Sequence, residues 1–125
     1  MLRIILLVGF GGFAGSVLRY LASSSVQKLF YLSFPFGTLF VNIVGSLIIG
    51  FLFGLGERGN ILSPEARLFF ATGFCGGFTT FSTFSLESLS LIRDGQWLFF
   101  SLYAVGSVVL GLLFVFMGFW FSRLL

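Results

Sequence analysis

The residues best placed to do chemistry in this chain carry no charge. From 71 to 87 the sequence reads ATGFCGGFTTFSTFSLE. Gly76 and Gly77 followed by Thr79 and Thr80 make poor helix, and a break there frees main-chain carbonyls. In lipid, non-helical backbone is tolerated only where it is buried in protein or lines a cavity, so those carbonyls need protein or an ion. Carbonyl oxygens with no carboxylate beside them suit a hard monovalent cation such as Na+. From spacing alone, a glycine kink without an ion is the simpler account. Just beyond, Phe81 and Phe84 stand three residues apart, interleaved with Ser82, Thr83 and Ser85. An aromatic ring has a negative face and a positive edge. Edge-on phenylalanine can therefore face an anion while neighbouring hydroxyls donate hydrogen bonds. Phenylalanine facing lipid is the commoner arrangement, but a lipid-facing surface does not alternate Phe with Ser and Thr. Glu87 lies one turn past Thr83; an intramembrane carboxylate is a functional candidate, and near the end of a span it is equally an interfacial one.

Other stretches carry polar stripes at helical spacing. Thr38, Asn42, Ser46, Gly50 and Gly54 recur every fourth residue, so one face is small or polar and the rest is Leu, Ile, Val and Phe. Ladders of small residues let helices approach closely, which accounts for Ser46, Gly50 and Gly54. Asn42 needs more, because a buried amide must satisfy donors and acceptor. It is either a bond between helices or a donor toward a pore. Tyr103, Ser107 and Gly111 repeat the device. Gly11, Gly12, Gly15 and Ser16 precede Arg19. Arg19 either snorkels to the interface or faces a watery vestibule, where it would concentrate anions.

The elements that must position these residues follow from composition. The chain has 125 residues, of which 58% are hydrophobic and 9% charged, with a mean hydropathy of +1.11. So few charges cannot clothe a water-soluble domain, which excludes a cytosolic enzyme, a secreted disulfide scaffold and a disordered chain. The sequence therefore predicts an all-α integral membrane protein forming one domain, residues 1–125. Four apolar stretches, about 4–22, 36–56, 68–92 and 96–121, each supply the roughly 20 residues that a hydrocarbon core of about 30 Å needs. The third is expected to break at mid-membrane. A cleaved signal peptide is a poorer account of the first stretch, because Arg19 sits where its apolar region should continue. With no His and one Cys, imidazole catalysis, His-ligated metal and an internal disulfide are excluded. Basic residues occur singly, with no run that would track nucleic acid, and no other protein partner is implied.

Four spans place both termini on one side. That side holds Arg3, Arg58, Arg67 and Arg123, and the other holds Arg19, Lys28 and Arg93. Four against three is too even to fix orientation. Either weak cues set one orientation, or copies insert both ways and pair antiparallel.

Three segments together, GGFAGSVLRY at 11–20, PFGTLFVNIVGSLIIG at 35–50 and GFCGGFTTFSTFSLE at 73–87, resemble the Fluc (CrcB) family of fluoride channels. Length, four spans and the missing charge bias agree with it, so the resemblance covers essentially the whole chain. It implies a dual-topology, multi-pass protein of the cell (inner or plasma) membrane that works as an antiparallel homodimer with two pores. Such a protein passively conducts F− and rejects Cl−, which relieves fluoride toxicity. By position, Phe81 and Phe84 match the family's pore phenylalanines and Asn42 its pore asparagine. Gly76 and Thr79 match the positions whose backbone carbonyls hold a central structural Na+ at the dimer interface. Arg19 matches the vestibule arginine. Ser82, Thr83, Glu87, Tyr103 and Ser107 match polar pore-lining positions, and Thr38 joins them on the span 2 stripe. Gly111 departs from the pattern, since many relatives carry a hydroxyl there; water would replace it. The implied partners are a second copy, fluoride and membrane lipid.

A competing reading is a small dual-topology, proton-coupled multidrug transporter. It needs a carboxylate at mid-span, and Glu87 is its only candidate. A non-conducting assembly subunit would have no use for the polar face of span 3.

Overall fold

A computed structural model of the chain describes residues 1–59 and 61–125. In chain order its elements are α1 (Leu2–Gln27), α2 (Phe36–Glu57), α3 (Pro64–Arg67), a π-helical segment (Leu68–Cys75), α4 (Gly76–Phe78), α5 (Phe81–Arg93) and α6 (Trp97–Arg123). The described residues contain no strand. Three helices, α1, α2 and α6, are long and apolar enough to cross a membrane, with mean hydropathies of 1.8, 2.2 and 2.3 over their most apolar stretches. Uncharged runs of Leu, Ile, Val and Phe fold this way because lipid offers the backbone no partner, and a helix satisfies its own N–H and C=O groups. Phe13, Val105, Leu112 and Phe116 accordingly stand exposed on the outer surface, as expected where lipid is the solvent.

Contacts between helices are made by glycine. A Cβ on Gly118 would collide with the Leu47 carbonyl, and one on Gly50 with the Val115 carbonyl. The α2 and α6 backbones therefore touch, and their packing is van der Waals contact of the kind that small residues permit in membranes. Gly11 and Gly15 similarly hold α1 against the π-helical segment.

Polar side chains finish the helix ends. Ser63 caps α3 by accepting from Ala66 N–H at 3.1 Å, with Pro64 in the first turn. The Gln27 amide accepts from Gly37 N–H at 3.0 Å and donates to the Phe34 carbonyl at 3.0 Å, tying the α1–α2 loop to the start of α2. Phe34 is buried in that loop, its ring 5.6 Å from Phe99 and 5.7 Å from Tyr103 of α6. Tyr20, Tyr31 and Trp97 are exposed near this end, the amphipathic rings expected at a membrane–water interface. At the other end Arg58 donates to the Ser122 carbonyl at 2.9 Å, and Arg67 to the Gly56 carbonyl at 3.4 Å. Cations thus sit on the negative ends of α6 and α2. Arg3–Glu65 at 3.7 Å and Arg123–Glu57 at 3.6 Å are half-exposed pairs that add little stability.

Between residues 64 and 93 the helix is interrupted once. The π-helical segment, whose wider turns bond each residue to the fifth one on, runs into α4. Thr79 (φ −90°, ψ 159°) and Thr80 (φ −151°, ψ 122°) are then extended, and α5 restarts at Phe81.

Candidate functional site: the helix break and its groove

The Gly76–Gly77 pair is itself helical; the interruption falls two residues later. Tertiary contact explains the difference. A Cβ on Gly77 would meet the Gly12 carbonyl at 2.5 Å, so this glycine serves close packing against α1 rather than a backbone turn. The break is built by hydrogen bonds from three directions. Asn42 of α2 accepts from Thr80 N–H at 2.8 Å through Oδ1 and donates to the Thr80 carbonyl at 3.1 Å through Nδ2. Arg19 of α1 donates from Nε to the Gly77 carbonyl at 2.9 Å, so the Arg19 guanidinium sits at the C-terminal end of the first half-helix. Thr80 Oγ1 accepts from Thr83 N–H at 3.1 Å and so caps α5.

These bonds decide which carbonyls are released. In a continuous helix Thr80 N–H would go to Gly76 and Thr83 N–H to Thr79. Both donors are diverted, so the Gly76 and Thr79 carbonyls lose their regular partners. Gly76 is also exposed, with open space on its Cα. The described residues hold no cluster of His, Cys, Asp and Glu fit for a metal. A donor set of neutral oxygens without thiolate, imidazole or carboxylate fits a hard monovalent cation.

Beside the break lies a groove of about 480 Å³ between α2, the π-helical segment, α5 and α6. Its polar wall is Asn42, Ser46, Thr79, Thr80 and Ser107, its aromatic wall Phe81 and Phe84, with Gly76 and Gly111 along it and no charged residue. Ser46 donates to the Asn42 carbonyl at 2.7 Å and is occupied. Ser107 Oγ is buried without a hydrogen-bond partner among the described residues. Asn42 retains one amide hydrogen beyond the bond to Thr80. Two donors are therefore spare on this wall. Leaving a buried hydroxyl unpaired costs about 1–3 kcal/mol, so the Ser107 hydroxyl is a structural cost with no partner among the described residues.

The remaining candidate residues stand off the groove. Tyr103 is fully buried and donates from its hydroxyl to Glu87 at 3.1 Å; Thr38 is buried on the same side. Phe84 links this cluster to the groove, its ring 4.9 Å from Tyr103 and 5.8 Å from Phe81. Ser82 lies 3.4 Å from Thr80 Oγ1 and is exposed, and Thr83 is half-buried. Phe81 is 79% exposed, a large apolar ring at a helix start, with the ring of Phe84 beside it. Thr80, read from the sequence only as a poor helix former, is the residue on which the break turns; a Thr three residues before Thr83 at a restarting helix is an N-cap signature.

Comparison with known proteins identifies the family. Residues 6–119 match the family model described as CrcB-like protein, Camphor Resistance (CrcB). A fluoride-specific ion channel FluC of Chlorobium luteolum is 52% identical over 114 residues, covering 91% of this chain and 88% of the relative. Proteins of the same name from Campylobacter jejuni, 49% identical over 119 residues (95% and 97% covered), and Aquifex aeolicus, 48% over 116 (93% and 94%), are equally extensive matches. With a family model spanning nearly its whole length and long apolar helices to match, the chain is a multi-pass membrane protein belonging to the CrcB family.

Proposed function

We propose that this chain is a passive, fluoride-selective channel of the cell membrane that lets F− leave the cytoplasm. The observation that carries the reading is the uncharged groove in which the unpaired Ser107 hydroxyl and the half-committed Asn42 amide stand beside Phe81 and Phe84. The relatives' name, fluoride-specific ion channel, supplies the ion. Fluoride is small and strongly hydrated, so a pore must replace its water with donors placed at short range. Hydroxyls, one amide and positive ring edges do this without net charge. A fixed cation 4 Å from the ion would add roughly 4 kcal/mol at an effective dielectric of 20, slowing exit about a thousandfold. The groove wall carries no such cation. Thr38, Ser82, Thr83, Glu87 and Tyr103 extend the polar route beyond Phe84. The Arg19 guanidinium, bonded through Nε, leaves its other nitrogens to draw anions toward the entrance.

The working unit in this reading is an antiparallel homodimer of four-span subunits, the third span being the broken run 64–93. Two features support it. The ring of Phe81 is left bare, which a second copy would cover. Lys and Arg are nearly balanced between the two sides, Arg3, Arg58, Arg67 and Arg123 against Arg19, Lys28 and Arg93, so they give little bias to insertion. The Gly76 and Thr79 carbonyls would hold a structural Na+ between the two copies, where it supplies positive charge that ties two backbones together.

The proton-coupled reading has less support: Glu87 is bonded to Tyr103 and lies off the groove. The export role is tested in a bacterial strain made fluoride-sensitive by loss of its own exporter. Expression of this chain restores growth in sodium fluoride, and Phe81→Ile does not; a strain that stays sensitive despite membrane expression overturns the reading.

A further inference from the structure

We infer that Asn42 is the positioning residue that holds the helix break open, and that by doing so it keeps the Gly76 carbonyl available to a cation. The clamp follows from geometry alone; its consequence for a cation rests on the channel reading above.

A peptide group leaving a helix inside a membrane must find substitutes for both of its bonds, or the break closes. Thr80 finds both on one side chain: Asn42 Oδ1 takes its N–H at 2.8 Å and Nδ2 serves its carbonyl at 3.1 Å. An amide is the smallest side chain that offers an acceptor and a donor in one plane, which explains the residue type. Ser46 donates to the Asn42 carbonyl one turn on, and Gly45, one turn of α2 from Asn42, leaves the room that Thr79 occupies, since a Cβ there would collide with Thr79 Cγ2. The competitor for Thr80 N–H is the Gly76 carbonyl, its regular helical acceptor. Occupancy of one bond excludes the other. A side chain of α2 thus governs a main-chain oxygen four residues before Thr80, and groove and cation position are coupled through the Thr80 N–H.

The sequence provides a clean probe. Glycine pairs occur only at 11–12 and 76–77, so a protein labelled with 13C-carbonyl, 15N-glycine gives two carbonyl–nitrogen NMR correlations, reporting Gly11 and Gly76. In the full-length protein without Na+, the Gly76 carbonyl is expected at a position typical of an unbonded carbonyl. It moves on addition of Na+ but not of N-methylglucamine, while Gly11 stays still. Asn42→Ala moves the Gly76 signal to the helix-bonded position before any Na+ is added and raises the Na+ midpoint about tenfold, the weight of one ordinary hydrogen bond. Asn42→Asp, which keeps an acceptor for Thr80 N–H, restores both toward wild type, and Ser107→Ala, on the same groove but off the break, changes neither. If Asn42→Ala leaves the Gly76 signal where it was, the clamp is wrong. If that variant moves the signal but Na+ moves nothing in the wild type, the clamp stands and the cation reading falls.

Discussion

The Asn42 carboxamide and the Thr80 peptide are joined like two residues on neighbouring β-strands, each giving and taking one hydrogen bond, at 3.1 and 2.8 Å. The pair joins residues 38 apart in sequence and fixes where α5 begins. Asn42→Ala leaves two backbone groups to find other partners, at about 1–3 kcal/mol each. Its thermal midpoint in detergent, followed by size-exclusion chromatography after heating, falls clearly below that of a lipid-facing control such as Leu112→Ala.

Ser107 separates function from stability. Its hydroxyl is buried without a partner among the described residues, so Ser107→Ala removes an unsatisfied donor and raises stability by about 1 kcal/mol. Fluoride efflux through the same variant slows, because a donor to the ion is lost. A thermal midpoint that rises while flux falls is the signature of a group kept for transport.

The Tyr103–Glu87 bond makes the opposite prediction. Tyr103→Phe preserves the ring that packs 4.9 Å from Phe84 but strips Glu87 of its donor. The variant loses about 1–3 kcal/mol, read as a lower thermal midpoint. Glu87→Gln, which can still accept from the hydroxyl, stays close to wild type in stability and retains measurable flux.

Gly118 tests the packing of α2 on α6. Since even a Cβ there meets the Leu47 carbonyl, Gly118→Val forces the helices apart, costing at least the roughly 1–3 kcal/mol of overpacking. Loss of the folded species on size-exclusion chromatography checks it; Gly106→Ala, where space is open, has no such effect.

How much of this the sequence disclosed varies with the range of the interaction. Low charge and long apolar runs were enough for an all-α membrane chain, because lipid leaves the backbone few alternatives. The polar stripe through Asn42 and the mixture around Phe81 are periodic and local, and the structure sets both along one groove. Gly76 and Gly77 suggested a break at themselves, yet a glycine needed for contact and one needed for a turn look alike in a sequence, and only Gly12 lying against Gly77 separates them. Nothing local links Asn42 to Thr80 or Arg19 to Gly77; those pairs depend on how helices are set side by side. The wider turns of Leu68–Cys75 are likewise hidden, because eight residues with a single polar side chain, Thr72, carry no period sharp enough to distinguish them from an α-helix.

In the proposed channel, uncharged donors and ring edges pass one small anion. The most direct test is ion efflux from liposomes containing only this protein, with a potassium ionophore present and the released anion read by electrode. Rapid release of F− with Cl− retained, abolished by Phe81→Ile in protein that remains folded, is the predicted result. Equal release of both anions, or F− release undiminished by loss of the Phe81 ring, would contradict it.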